Sequence, residues 1–260
     1  MSFEYLYQTD TLMTFILAGF RIAGILFSAP MYGSRMIPIN IKVALALLLT
    51  VLIAPLIEPI QLENIDFVLL VLVIAKELLL GIAIGLLGYL LLVGVQIGGQ
   101  IIGFQMGFGV VNVFDPMTNT QLSIIAQFKN IAMLLFFVAL DGHHMVIGAI
   151  SESFDVVPVG TFVFQSEGFL FVVQLMSLAF STAIQIVAPI FVTLLTLHTV
   201  MGIMGRLVPQ LNLMIVGFPL QIATGLTLLS LSLNYFYIVF EKLLHNYFKE
   251  IATLFSILGG

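Results

Sequence analysis

Long apolar runs alternate with short polar connections along most of the 260-residue chain. A stretch of about 20 apolar residues is long enough for a helix to cross a bilayer. Counting such stretches predicts about six hydrophobic segments, near residues 11–30, 37–57, 67–94, 122–140, 169–200 and 211–240. Composition agrees, because 61% of the residues are hydrophobic and only 8% are charged, against about 25% charged in soluble domains. The pattern therefore predicts an all-α membrane protein.

The third apolar run is too long for one crossing. It extends from Phe67 to Phe114 and is interrupted only by Lys76 and Glu77. As one straight helix it would measure about 70 Å, more than twice the thickness of the hydrocarbon core. We therefore expect the chain to turn inside this run, in the second part that reads QIGGQIIGFQMGFGVVNVFDP at residues 96–116.

This second part is unusual for a membrane helix. It contains five glycines and three glutamines, and each glycine weakens a helix by about 1 kcal/mol relative to alanine. Polar or non-helical backbone is tolerated at membrane depth only where protein buries it or where it lines a water-filled cavity. A pore lining or a loop inside an assembly is therefore the favoured interpretation, and a static subunit interface is the alternative.

Glycines spaced four residues apart form three ladders in the same run. On a helix, each ladder is a smooth stripe that lets another backbone approach closely. The residues predicted to pack closely are Gly81, Gly85, Gly94, Gly98, Gly99 and Gly103. For the ladder that runs on from Gly99 and Gly103 to Gly107, the neighbouring glutamines favour the pore or loop interpretation over simple helix packing.

Four charged residues are singled out as intramembrane or inter-subunit charges: Arg21, Lys76, Glu77 and Arg206. A charge at the centre of a membrane helix costs about 2.5–3.5 kcal/mol on insertion scales. The adjacent residues Lys76 and Glu77 do not face each other on a helix, so each needs a different partner. Arg21 and Lys76 are predicted to be inter-subunit anchors, with snorkelling or a structural pair as the alternative.

The remaining features exclude several classes of function. The absence of cysteine excludes disulfides and thiolate metal sites, and the net charge of −5 argues against nucleic acid. The adjacent residues His143 and His144 diverge by about 100° on a helix, so a polar cap is predicted rather than a metal site. No enzyme or nucleotide-binding motif is present, and no cofactor is expected. A passive pore or scaffold, a secondary transporter and one subunit of a larger machine remain.

Several segments together resemble the FliR family of flagellar biosynthetic proteins. They occur in the family's order from about residue 20 to residue 225, and they read APMYGSRMIP, KELLLGIAIG, QIGGQIIGFQMGFGVVNVFDP, LDGHH, SFDVVPVG and TLHTVMGIMGRLVPQLNLMIVGFPLQIATG. The resemblance implies a non-enzymatic, pore-forming subunit of the flagellar type III protein export gate. It also implies a multi-pass protein of the bacterial inner membrane, in the flagellar basal body.

The resemblance further implies a fold and partners. Residues 1–260 would form a single export-gate subunit of long kinked helical hairpins, a FliP-like part at 1–200 fused to a FliQ-like part at 201–260. The subunit would join a helical pore assembly with FliP-like and FliQ-like subunits and associate with a FlhB-like subunit. Unfolded export substrates would pass through the pore towards rod proteins on the distal side. The equivalent subunit of a virulence injectisome and a stand-alone secondary transporter are the alternatives.

In the resembled family, the loop after the long third helix projects into the channel and helps to close it. In this chain that loop corresponds to residues 105–121, here called the plug segment. Its apolar side chains would form the stopper and its glycines would supply flexibility. The predicted gating residues are Gln105, Met106, Gly107, Phe108, Gly109, Val110, Val111, Asn112, Val113, Phe114, Asp115 and Pro116.

Overall fold

A computed structural model describes residues 9–34, 37–60, 66–108, 123–162, 166–210 and 212–258 of the chain. Within these ranges the protein is helical and contains no strand, so the predicted all-α fold is confirmed. The helices are α1 (Thr9–Ser28), α2 (Ile39–Ile53), α3 (Phe67–Gln105), α4 (Ile124–Ala139), α5 (Gly142–Val156), α6 (Ser166–Leu207) and α7 (Leu213–Leu258), with a short 3-10 turn at Ala54–Leu56.

Most of these helices have the length and composition of membrane spans. In the described ranges, α1, α2, α3, α6 and α7 are each long and apolar enough to cross a bilayer. The shorter helices α4 and α5 make a sixth candidate when they are taken together as one broken span. The predicted number of about six hydrophobic segments is confirmed.

Helix α3 is longer than the sequence suggested. It continues without a break for 39 residues and ends only at Gln105, a length of about 58 Å. The turn expected within residues 96–116 therefore does not fall among the glycines at 98, 99 and 103. Helices α6 and α7 are also continuous, through Pro189 and Pro219 respectively.

The chain divides into two compact units that are each built from separate segments. Unit 1 comprises Met1–Leu90, Asp141–Leu175 and His245–Gly260, and unit 2 comprises Leu91–Leu140 and Met176–Leu244. The long helices α3, α6 and α7 each contribute residues to both units. This division does not follow a single boundary near residue 200, and the FliP-like and FliQ-like parts remain a prediction from the resemblance.

In unit 1, α1 packs against the first part of α3 through small residues. A Cβ added at Gly24 would lie 2.7 Å from the carbonyl oxygen of Leu78, and one at Gly81 would overlap the carbonyl oxygen of Arg21. A Cβ at Gly85 would likewise overlap the hydroxyl of Ser28. Because these glycines carry no side chain, the two backbones can approach closely.

In unit 2, the last part of α3 makes the same kind of contact with α4 and α6. A Cβ at Gly94 would lie 2.9 Å from the carbonyl oxygen of Ala179, and one at Gly98 would overlap Val187. Gly99 and Gly103 face the start of α4, and a Cβ at Gly99 would lie 2.9 Å from the Cα atom of Ala126. These glycines do not break α3. Because they carry no side chains, neighbouring helices can pack closely against this part of α3.

Candidate functional site

The predicted plug segment begins at the end of α3, in unit 2. Gly107 adopts a left-handed conformation with φ of 86°. The N–H of Phe108 donates to the carbonyl of Gly103 (3.1 Å), and the N–H of Gly107 donates to the carbonyl of Phe104 (3.0 Å). This hydrogen-bond pair is the Schellman motif, which terminates a helix at a left-handed residue. The backbone geometry therefore fixes where the helix stops.

Met106 holds this helix end in the core of unit 2. Its side chain is fully buried, and Phe108 packs against the same cluster. The cluster consists of Ile102, Met106, Ile125, Val187, Ile190, Leu194 and Leu229. Gly225 of α7 leaves the space for this side chain, because a Cβ there would lie 2.6 Å from the Cγ atom of Met106. Met106 is therefore an internal packing group in this chain, and its predicted part in a movable stopper remains a prediction.

The rest of the predicted gating residues lie outside the described part of the chain. Only Gln105, Met106, Gly107 and Phe108 fall within it. The gating residues outside it are Gly109, Val110, Val111, Asn112, Val113, Phe114, Asp115 and Pro116. Their role remains a prediction from sequence.

Replacing Gly107 by alanine should destabilise unit 2 by about 1–3 kcal/mol, because a side chain is strained at a positive φ. The added Cβ would also lie 2.8 Å from the ring of Phe218. Thermal unfolding of the purified protein in detergent would measure the loss. Gly202→Ala is the matched control, since no atom lies within 4 Å of a Cβ at this α6 position. Equal melting temperatures for the two variants would contradict the assignment.

Unit 1 contains a buried charge network centred on Arg21. The Nε of Arg21 donates to Oε2 of Glu77, and both side chains are 0% exposed. Its Nη1 donates to the carbonyl oxygens of Ser153 (2.8 Å) and Val157 (2.7 Å). The guanidinium also lies 4.5 Å from the ring centroid of Phe154. One arginine thus connects α1 to α3 and to the end of α5.

Glu77 extends the network to the turn that follows α5. Its Oε1 accepts a hydrogen bond from the N–H of Gly160 at 2.7 Å, while Gly160 adopts a left-handed φ of 82°. The last carbonyls of a helix lack partners within the helix and carry partial negative charge, so a cation at this end is stabilising. Arg21 therefore neutralises Glu77 and caps α5 at the same time.

These contacts change the interpretation of the predicted anchors. Arg21 finds its partners inside its own chain and has no exposed surface, and its role as an inter-subunit anchor remains a prediction. Lys76 is exposed on a different face of α3 from Glu77, as the rule for adjacent helical residues requires. Arg206 is exposed in the last turn of α6. An inter-subunit role for Lys76 and Arg206 remains a prediction.

Lys129 is a buried charge that the sequence analysis did not identify as part of a site. It lies within α4, its side chain is buried, and its Nζ is 5.2 Å from the ring centroid of Phe236. An ammonium group placed over an aromatic face gains a cation–π attraction. The signal that could have found it was a lone lysine inside the predicted span at 122–140.

Known proteins are similar to this chain over most of its length. Residues 12–247 match the family model described as bacterial export proteins, family 1. A Bacillus subtilis relative named flagellar biosynthetic protein FliR is 32% identical over 96% of this chain and 97% of its own length. The chain belongs to this FliR family. The resemblance stated from sequence motifs is thereby confirmed.

Other FliR relatives match at similar levels. The flagellar biosynthetic protein FliR of Aquifex aeolicus is 33% identical over 92% of this chain and 93% of its own length. The protein of the same name from Escherichia coli is 29% identical over 91% of this chain and 90% of its own length. Because these matches cover nearly the whole chain, both units belong to the FliR-family region.

Proposed function

We propose that this FliR-family chain is a non-enzymatic, pore-forming subunit of the flagellar type III protein export gate, located in the inner membrane at the flagellar basal body. The observation that carries the proposal is the family match over residues 12–247. The helical architecture supports it, since apolar side chains such as Ile39, Leu56 and Leu231 remain exposed and require lipid or partner subunits to cover them. The partners implied by the resemblance are FliP-like, FliQ-like and FlhB-like subunits.

The native mass of the protein co-expressed with its operon tests this assembly. The subunit should co-purify at high mass with two other hydrophobic proteins. A stand-alone secondary transporter should instead purify as a monomer or small homo-oligomer that binds a small solute. Transporter sites are commonly formed by discontinuous helices, and the continuity of α6 through Pro189 and of α7 through Pro219 favours the gate.

The flagellar role is separated from the injectisome alternative by phenotype. Relatives named flagellar biosynthetic protein FliR favour the flagellum. Deleting the gene should abolish motility and leave effector secretion intact in a host that possesses both systems. Normal motility in the deletion strain would overturn the flagellar assignment.

We further propose that the plug segment closes the channel at rest. The support is physical: the Schellman motif at Gly107 and the burial of Met106 hold the end of α3 in place, and the plug segment continues from this end. From there the sequence GVVNVF at 109–114 is uncharged and mostly apolar. A hydrophobic constriction can hold a pore shut by excluding water.

Deleting residues 109–114 should leave the complex intact and make the membrane leaky to ions. The reason is that the deletion keeps Met106, Gly107 and Phe108, and with them the helix end and its core contacts. Conductance of the complex in planar bilayers, together with its native mass, would measure both effects. A deletion of 106–114 is the comparison, because it also removes Met106 and should reduce assembly. A normal complex with unchanged conductance after deletion of 109–114 would contradict the plug proposal.

A further inference from the structure

The break between α4 and α5 combines strained backbone with metal-ligating side chains. In the described ranges, the non-glycine residues with positive φ are Met31 (63°) and Asp141 (57°). They lie close to the same contact in unit 1, where the hydroxyl of Tyr32 donates to the carbonyl of His143 at 3.4 Å. Strained backbone persists only where surrounding structure holds it, and it is concentrated at functional sites.

The carboxylate of Asp141 does not cap the helix that follows it. This residue occupies the N-cap position of α5, where an aspartate normally accepts a hydrogen bond from the first turn, yet its side chain makes no capping hydrogen bond. Its Oδ1 lies 3.4 Å from Nδ1 of His144 instead. Charge-assisted hydrogen bonds measure about 2.7–2.9 Å, so this separation is long for an ion pair. The carboxylate is therefore available for another ligand.

The two histidine rings converge although their residues are adjacent in sequence. The ring centroids of His143 and His144 are 4.1 Å apart, with the planes inclined at 38°. Nδ1 of His143 is buried and has no hydrogen-bond partner among the described residues. Ligand atoms of Asp141, His143 and His144 all lie within 4.8 Å of one another. The divergence of about 100° between adjacent helical positions does not keep their donor atoms apart.

We propose that Asp141, His143 and His144 bind one divalent transition-metal ion, with Zn²⁺ as the best match. Two imidazoles and one carboxylate form a ligand set that suits Zn²⁺, and the fourth position would be open to water or another ligand. Zn²⁺ bonds of about 2.0–2.1 Å in a tetrahedral arrangement place two donors about 3.3 Å apart. The separation of 3.4 Å between Asp141 and His144 matches this value. The other pairs of donor atoms in the cluster lie within 4.8 Å of each other, and rotation of the side chains would bring them to bonding distance from one ion.

The surroundings allow an ion to enter from water. The side chains of His144 and Asp141 are 69% and 73% exposed. The N-terminus of α5 carries partial positive charge that opposes a cation, and the carboxylate of Asp141 offsets it. A bound ion ties Asp141 to the first turn of α5. Metal binding would therefore stabilise the left-handed conformation of Asp141 and the position of the turn at Tyr32.

Titration with Co²⁺ followed by Zn²⁺ competition tests the site in the purified full chain or its co-purified complex. Tetrahedral Co²⁺ gives visible absorption bands, and we expect one ion per chain that Zn²⁺ displaces. His143→Gln, His144→Gln and Asp141→Asn should each weaken binding by about tenfold or more, on the scale of losses at metal sites. His198→Gln is the matched control, because His198 lies in unit 2 and its Nδ1 is 3.0 Å from the carbonyl oxygen of Leu194.

Several outcomes would overturn the proposal. These are the absence of saturable Co²⁺ binding, binding that survives all three substitutions, and binding that is lost equally with His198→Gln. Asp141→Asn keeps the test valid if a histidine variant fails to fold, since asparagine tolerates the left-handed conformation. The test is independent of the export function, because it reads metal binding in a purified protein whether or not that protein closes a channel.

Discussion

Arg21→Met should destabilise the folded chain by about 3–5 kcal/mol, which is the cost of leaving one partner of a buried ion pair uncompensated. The substitution leaves the carboxylate of Glu77 buried and takes the donor away from the carbonyls of Ser153 and Val157. Thermal unfolding in detergent, together with the amount of protein that accumulates in membranes, would measure the loss. This is one of the two largest effects that we expect from a single substitution in this chain.

Two comparisons make the result specific to the network. Lys76→Met removes a neighbouring charge that is exposed, and it should leave the melting temperature nearly unchanged. The double variant Arg21→Met with Glu77→Leu should recover part of the loss, since it removes the buried charge but leaves the N–H of Gly160 without its acceptor. If Arg21→Met and Lys76→Met unfold at the same temperature, the buried pair does not stabilise the fold.

Gly81→Leu should separate α1 from α3 and destabilise unit 1 by about 3 kcal/mol, at the upper end of the usual cost of overpacking. Even a Cβ at this position would overlap the carbonyl oxygen of Arg21 and lie 3.1 Å from the Cα atom of Gly24. Both neighbours are backbone atoms, which cannot move aside as a flexible side chain can. Thermal unfolding and resistance to proteolysis would report the separation.

The same substitution elsewhere in unit 1 provides the control. No atom lies within 4 Å of a Cβ at Gly148 of α5, so Gly148→Leu should be neutral or stabilise the helix by up to about 1 kcal/mol. Because Gly81 touches the backbone of Arg21, the effects of Gly81→Leu and Arg21→Met should not add. Additive losses, or a Gly81→Leu protein as stable as Gly148→Leu, would show that close packing at Gly81 does not position the arginine.

The helices could be predicted from sequence because apolar runs of span length have few alternatives in a lipid environment. The partner of Arg21 could not be predicted in the same way. The rule that adjacent side chains diverge correctly separated Lys76 from Glu77, but Glu77 is 56 residues from Arg21, and only helix packing brings them together. The glycines of α3 were likewise ambiguous, because sequence does not show whether a bare helical surface is covered by a neighbour.

The ambiguity of Met106 and the geometry of His143 and His144 have a different origin. A buried core and a hydrophobic stopper require the same side chains, so composition cannot assign Met106 to one of them. The Schellman motif at Gly107 places the end of α3 beside the buried cluster, and a part of Met106 in the stopper remains a prediction. For the histidines, the convergence of the rings depends on side-chain rotamers and on the left-handed conformation of Asp141. The periodicity of the sequence predicts neither these rotamers nor this backbone conformation.

The network around Arg21 has a consequence for biogenesis. Arg21 leaves the ribosome 56 residues before Glu77 and 132 residues before Ser153. At about 5–20 residues per second, it waits about 3–11 s for its counter-ion and about 7–26 s for the carbonyls of α5. During that interval the unpaired guanidinium makes the first span less favourable in lipid by about 2.5–3.5 kcal/mol on insertion scales. We therefore expect the insertion machinery to retain the first span until the third span arrives, so that α1 and α3 enter the bilayer as a pair.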